Sequence, residues 1–309
     1  MLRPPGAVCI TGRLSLNRFQ QQIRAAYEMQ QSVGAGPTFE RITNYARAQL
    51  LNRQREQQFR RMGLKGIQTR SILGSKMTLD PDAHGLDRDL LLDGIREPVA
   101  TGYILDVLNA EDVVLEVGAN IGYYALIESR ICKKIYAAEP HPENFQRLNE
   151  NIALNGRSNI ETFNVAFGET DAPLYLNCST LSNWHSCKGA DATTSGAVKV
   201  DGYRIDTFVE GKLSPTFMKM DVEGFELQVL RGAEKTLKTL NRLFVEVHGD
   251  LLEEAEIAEV IDRITKAGLR PALIVQYDRP GLSKIYPTSH IDQIRAGDRG
   301  TYELFFDRS

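Results

Sequence analysis

The chain has 309 residues, 37 Lys and Arg against 40 Asp and Glu, and a formal net charge of −3. With 42% hydrophobic and 25% charged residues it has the composition of an ordinary globular protein, which excludes collagen-like, disordered and disulfide-stapled classes and leaves no whole-molecule field for gripping nucleic acid or an anionic membrane. Its four cysteines, Cys9, Cys132, Cys178 and Cys187, are too few and too irregularly spaced for a secreted scaffold. No run reaches the length of a membrane span and the first residues lack the apolar core of a signal peptide, so the expectation is a soluble, cytoplasmic protein.

In chain order, residues 14–31 place Phe19, Ile23 and Tyr27 on one helical face, and Gly34, Gly36 and Pro37 end that pattern. A second helical stretch covers 38–62, with Phe39, Ile42, Tyr45 and Phe59 as its apolar members. Between Arg41 and Arg70 eight basic residues face a single acid, Glu56. That segment reads as a solvated helix face, and an anionic glycan, lipid surface or RNA is the other contact it would suit. The pattern changes near Gly66, which divides the chain into a helical extension, 1–65, and a domain, 66–309. Within the domain, 68–79 reads as a strand or hairpin and 97–108 as a helix. Strands at 113–117, 135–138 and 160–165 then alternate with helices at 123–130 and 142–155. A long Ser, Thr and Gly-rich insertion, 168–204, carries two short strands and suits a lid over a substrate. Regularity returns with a strand at 217–220, a helix at 223–240, a strand at 243–247, a helix at 251–267 and strands at 271–275 and 302–306. Alternation of this kind predicts an α/β fold, a doubly wound sheet with right-handed crossovers.

The strand 113–117 runs into Gly118, Ala119, Asn120, Ile121 and Gly122, a strand, turn and helix entry of the nucleotide-binding type. The spacing is not the G-x-G-x-x-G of dinucleotide sites, which counts against a nicotinamide-dependent oxidoreductase. An acid, Glu116, stands inside the strand just before the turn, where it would repel a pyrophosphate and suit a cation. S-adenosylmethionine, a sulfonium without phosphates, fits that demand. Glu116 would serve its ammonium, Gly118 would let the backbone approach, Asn120 would hold the turn or the carboxylate, and Gly122 would allow close packing of the helix. Glu139 ends the next strand, where an acid can accept from ribose hydroxyls, and Pro140 turns the chain away. Asn164, Val165 and Ala166 follow the third strand, at the place for the adenine ring. Glu116 also fits a buried ion pair, and Glu139 a charge at a helix entry.

Three phrases carry a family resemblance: Val114 to Tyr124, Glu139 to Asn144, and Lys219-Met220-Asp221-Val222-Glu223-Gly224-Phe225-Glu226, with Gly94-Ile95-Arg96-Glu97-Pro98 ahead of them. In these the chain resembles the FkbM family of class I S-adenosylmethionine-dependent methyltransferases, from about Ser75 to His248. The resemblance implies a seven-stranded Rossmann-like methyltransferase sheet with a reversed last strand and O-methylation of sugar or polyketide hydroxyls. Glu116 departs from it, since an Asp is more usual there.

Ligands in doubly wound sheets bind beyond the carboxyl ends of the strands, which directs attention to Asp221, Glu223, Glu226, Glu246 and His248. Methyl transfer to a hydroxyl needs a group to take the proton. His248 is the first candidate because its unperturbed pKa lies near operating pH, and Asp221 is the rival. Asp221, Glu246 and His248 together are also a candidate divalent-metal set. Glu223 and Glu226 fit the first turn of a helix, where acids complement the dipole. Trp184 and His185 in the insertion are candidate covers for the acceptor, and the flanking Cys178 and Cys187 lack metal-site spacing. The reading is methyl transfer to a hydroxyl of a glycan or a secondary metabolite, without nucleic acid as partner. A catalytically silent cofactor-binding module is the remaining alternative.

Overall fold

The computed structural model describes residues 53–83, 85–177, 185–277, 283–297 and 301–308. The helix expected over 14–31, most of the one over 38–62, Trp184, Cys9 and Cys178 lie outside the described residues.

A helix over residues 53–62 (α1) comes first. It is held by Arg55 to Asp89 and Asp93 and by Glu56 to Arg88, all on or beside the helix Leu86–Asp93 (α2). Part of the basic segment is thus spent on acids of its own chain. Between them lies the hairpin of β1 (Gln68–Ile72) and β2 (Ser75–Leu79), and α3 (Pro98–Val107) follows.

The parallel core begins with β3 (Val113–Val117), buried along its whole length as a strand covered on both faces must be. It leads to α4 (Tyr123–Glu128), β4 (Lys134–Ala138), α5 (Pro142–Ala153) and β5 (Ile160–Phe163). Helix α5 starts as its residues dictate: Pro142 takes the first turn and the His141 ring accepts from the Asn144 N–H. The chain breaks at Asn164, so the expected strand 160–165 is two, β5 and β6 (Val165–Phe167). β7 (Leu174–Leu176) and β8 (Val198–Tyr203) join β6 in a three-stranded sheet of order β6-β8-β7, and the short α6 (Ile205–Phe208) follows. The two described strands of the insertion are thereby joined to the domain through β6.

Next come β9 (Phe217–Met220), α7 (Glu226–Arg231), α8 (Glu234–Leu237), β10 (Arg242–His248), α9 (Glu254–Lys266), β11 (Leu269–Tyr277), β12 (Ser283–Tyr286) and β13 (Thr301–Arg308). The single helix expected over 223–240 is two short ones, and residues 221–225 precede them as a loop in which Glu223 has φ of 50°. Helix α9 carries a capping box of Glu253 and Glu256 and ends on Arg263 and Lys266, in agreement with its dipole.

The main sheet has the order β12-β11-β13-β10-β9-β3-β4-β5. The expected seven strands are present with β13 antiparallel to both neighbours, and β12 adds an eighth at the edge by a hairpin with β11. One apolar core fills each face: Leu115, Met218, Val245 and Ile257 mark one, and Val114, Ile104, Leu126 and Phe244 mark the other. Strand order reverses between β3 and β9. That switch point leaves a crevice beyond the strand ends, and the residues that follow β3 and β9 are Gly118 and Asp221.

Candidate active site

A cleft opens at this switch point, about 600 Å³ of space counted together with the open solvent at its mouth, at the place where doubly wound sheets hold ligands. Gly118, Asn120, Glu139 and Asp221 line it where β3, β4 and β9 end, and Val165, Ala166, Phe167 and Phe225 form an apolar side. Leu176, His185 and Cys187 of the insertion close the wall. The His185 ring stacks on His141 with centroids 3.9 Å apart, while burial pushes the Cys187 thiol up to about 12. Three acids, Glu139, Asp221 and Glu223, line the cleft, and none of its described lining residues is Lys or Arg.

The turn is built by hydrogen bonds that the strand ends impose. The N–H groups of Gly118 and Ala119 both donate to the Ala138 carbonyl, and the Asp221 N–H donates to the Val117 carbonyl. Position 118 must be glycine, because a β-carbon there would meet the Asp221 carbonyl oxygen at 2.1 Å. Gly122, a candidate cofactor residue, lies outside the lining; its β-carbon would meet Leu148 Cδ1 at 2.7 Å, so its position is one of close packing between α4 and α5. Asn120 sits in the left-handed region at φ 51°, and its side-chain oxygen accepts from the Ile121 N–H at 2.8 Å.

Glu139 is 5% exposed. It accepts at 2.8 Å from the Asn120 N–H on one oxygen and from the His141 N–H on the other, with the Asn144 side chain as a further donor. Burial pushes its pKa up to about 7 against the pull of these donors. Pro140 lines the cleft beside it, but Asn164 does not. The Asn164 amide donates to the carbonyls of Glu139 and Pro140, which makes it a brace for the turn and leaves Val165 and Ala166 as the lining residues.

Glu116 is the clearest displacement from expectation. Strand alternation turns it to the opposite face from Val117, where it is 1% exposed and outside the cleft lining. There it meets the Glu128 carboxyl and Lys219. Burial raises its pKa to about 7, and burial with repulsion from Glu116 raises that of Glu128 well above the ordinary range. On this face Glu116 stands in register with Lys219 of the neighbouring strand β9.

Lys219 is the cation of this face. It is 2% exposed, and its ammonium lies 4.7 Å from the centre of the Tyr124 ring. Burial opposes its charge, but the carboxylates of Glu116, Asp221, Glu246 and Glu97 outweigh that and raise its pKa. Glu97 adds to the network through Arg96 at 2.5 Å and the Tyr124 hydroxyl at 2.8 Å. Neither link shows in residue spacing, although Arg96 and Glu97 stand in the Gly94 to Pro98 phrase.

His248 is not the free base expected. Its Nδ1 lies 2.7 Å from Glu226 Oε1 and its Nε2 3.1 Å from Glu223 Oε2. Burial disfavours the charged ring, but the two carboxylates outweigh burial and hold its pKa well above the ordinary value. With a carboxyl group at each ring nitrogen, His248 has no unengaged nitrogen to offer a substrate. The candidate metal set also changes. Asp221, Glu223 and His248 converge, with one ligating atom of each within 4.8 Å of the others. Glu246 is outside that group; it stands opposite Glu303 in the β10–β13 register, and burial and repulsion from Asp221 and Glu97 push its pKa well up. Among the described residues no helix is long and apolar enough to cross a membrane.

The family model described as the methyltransferase FkbM domain matches residues 116–271. The hexuronic acid methyltransferase AglP of Haloferax volcanii is 30% identical over 173 residues, which cover 53% of this chain and 70% of AglP. Methyltransferase 1 of Beauveria bassiana is 29% identical over 147 residues, and the match covers 40% of this chain and 59% of that protein. A solved FkbM methyltransferase from Methylobacillus flagellatus aligns with a TM-score of 0.42 at 17% identity over 63% of this chain and 43% of that one. The nicotinamide-dependent oxidoreductase alternative is thereby set aside. The match over half of the sequence, together with the relation to AglP, shows that the chain belongs to the FkbM family of S-adenosylmethionine-dependent methyltransferases.

Proposed function

We propose that the protein transfers a methyl group from S-adenosylmethionine to a hydroxyl oxygen of a sugar or a similarly hydroxylated metabolite. The observation that carries this is the charge of the cleft. Three carboxylates and no described Lys or Arg line it, which suits a phosphate-free cation and opposes a dinucleotide or a nucleic-acid backbone. The AglP relation, a protein named for hexuronic acid, supports a sugar as the acceptor class.

S-adenosylmethionine supplies an electrophilic methyl group. Glu139 would receive the ribose. A carboxylate offers about four acceptor positions, and the three donors already on Glu139 leave room for one ligand hydroxyl rather than two. Val165, Ala166, Phe167 and Phe225 offer the apolar surface an adenine ring needs. The part first given to Glu116, a negative partner for ammonium and sulfonium, falls to the cleft acids Asp221 and Glu223. Asp221 is also the proton acceptor, since it lines the cleft while the ring nitrogens of His248 are both engaged. The remaining work is alignment and exclusion of water, to which the insertion contributes through Leu176, His185 and Cys187.

The test is product analysis with S-adenosylmethionine and a panel of neutral sugars, hexuronic acids and polyhydroxylated metabolites. The expected product is an acceptor heavier by one methyl group, with the label on oxygen. Tight binding of S-adenosylhomocysteine with no product from any acceptor would favour the silent module, and absence of cofactor binding would end the reading.

A further inference from the structure

The cleft wall beyond β9 and β10 carries an arrangement that methyl transfer alone does not require. His248 Nε2 and Glu223 Oε2 are 3.1 Å apart, the edge length between neighbouring ligands that each sit about 2.1–2.2 Å from one ion. Asp221 completes a set in which all three ligating atoms lie within 4.8 Å of one another. Behind the ring, Glu226 is fully buried and holds Nδ1 at 2.7 Å, and its same oxygen accepts from the Gly224 N–H at 3.0 Å. The ring is thereby fixed with Nε2 toward Glu223 and Asp221. A carboxylate behind an imidazole is the support that metal-binding histidines commonly have.

A second observation points the same way. Asp221 Oδ1, an oxygen of the ligand set itself, is buried with no hydrogen-bond partner. Buried carboxylate oxygens without a donor or cation are unfavourable.

We propose that Asp221, Glu223 and His248 form a divalent-cation site in the cleft wall, one ligand atom from each, with Glu226 as the positioning residue for His248. On binding, the ion takes the place of the Nε2 proton, which passes to solvent, and the Nδ1 hydrogen stays with Glu226. Two carboxylates and one imidazole suit manganese or another transition ion better than calcium or magnesium. Because Asp221 and Glu223 line the cleft, the remaining coordination positions face it, and vicinal hydroxyls of the acceptor are the groups to fill them. That last assignment rests on the methyl-transfer reading; the ion site itself does not.

The experiment titrates the full chain, freed of metal by a chelator and dialysed, with Mn²⁺, and follows the free ion by electron paramagnetic resonance. One Mn²⁺ per chain is expected. Asp221→Asn and Glu223→Gln should each weaken binding at least tenfold, and Glu226→Gln by about 10–100-fold although it touches no ion. Thermal unfolding is measured on every variant to confirm a native fold. No stoichiometric Mn²⁺ on the native chain, or unchanged Mn²⁺ affinity in variants that unfold as the native chain does, overturns the proposal. Mn²⁺ binding that depends on these residues in a chain that binds no S-adenosylhomocysteine supports the ion site and removes the methyl-transfer reading alone.

Discussion

The backbone carbonyl of Asp221 stands where the β-carbon of any other residue at Gly118 would have to be, 2.1 Å from the position that atom would take. The end of β3 and the end of β9 therefore touch through a glycine, and the same contact sets the Asp221 side chain at the cleft.

This contact separates two glycines that look alike in the sequence. Gly118→Ala should destabilise the protein by about 3 kcal/mol or more, because a rigid carbonyl blocks the methyl group and φ is 86°. Gly122→Ala meets only the end of the Leu148 side chain and should cost about 1–2 kcal/mol, chiefly for the left-handed backbone. Urea unfolding midpoints check both, and equal losses would contradict the assignment.

Cofactor affinity should depend on pH through Glu139. Its pKa in the free protein is pushed up to about 7, and a ligand hydroxyl donates to the ionised form, so S-adenosylhomocysteine should bind about tenfold more tightly at pH 8 than at pH 6. Glu139→Gln should abolish this dependence and weaken binding at pH 8 about tenfold. The same shift acts on stability in the other direction. Its pKa is raised from the ordinary 4.5 on folding, so its contribution is present in full below 4.5 and is lost as pH rises through 7. Calorimetric titration across pH, on the native chain and the variant, is the measurement.

Lys219→Met should destabilise the fold by about 3–5 kcal/mol, since it leaves buried carboxylates without their cation. Adding Glu116→Gln removes one of those carboxylates and should restore part of the loss. A double-mutant cycle in urea tests this, and strict additivity of the two changes would count against the pairing.

Asp221 and His248 should separate by the kind of damage they cause. Asp221→Asn is expected to lower kcat by about 10²–10⁴-fold with the fold retained. His248→Gln, in chelator-treated protein, should instead lower unfolding stability by about 3–5 kcal/mol, because Glu223 and Glu226 lose their shared cation. A fully stable His248→Gln protein with kcat lost and KM unchanged would return the proton-accepting role to the histidine.

Local pattern made the parallel strands, the glycine turn and the acid at Glu139 legible, because a buried strand must be apolar on both faces and a turn of that hand needs residues that tolerate positive φ. It also marked out Asp221, Glu223, Glu226 and His248 as a polar group near two strand ends. It misassigned Glu116 because the residue before a turn can face either side, and which side is taken depends on strand phase relative to the sheet. It ran the chain through 223–240 as one helix because periodicity reports neither the late start that Glu223 imposes at φ 50° nor the break at Gly232 and Ala233 between α7 and α8.

The composition and spacing of this chain were enough to specify a doubly wound sheet and a glycine turn at the end of its first parallel strand, since both follow from periodicity and from residues that tolerate positive φ. Partnership among the acids was decided by tertiary structure. Glu116 faces Lys219 rather than the cleft, and His248 is held between Glu223 and Glu226. Those pairings join residues from different strands and helices, and burial at their meeting points sets which groups carry charge and which can take a proton or an ion.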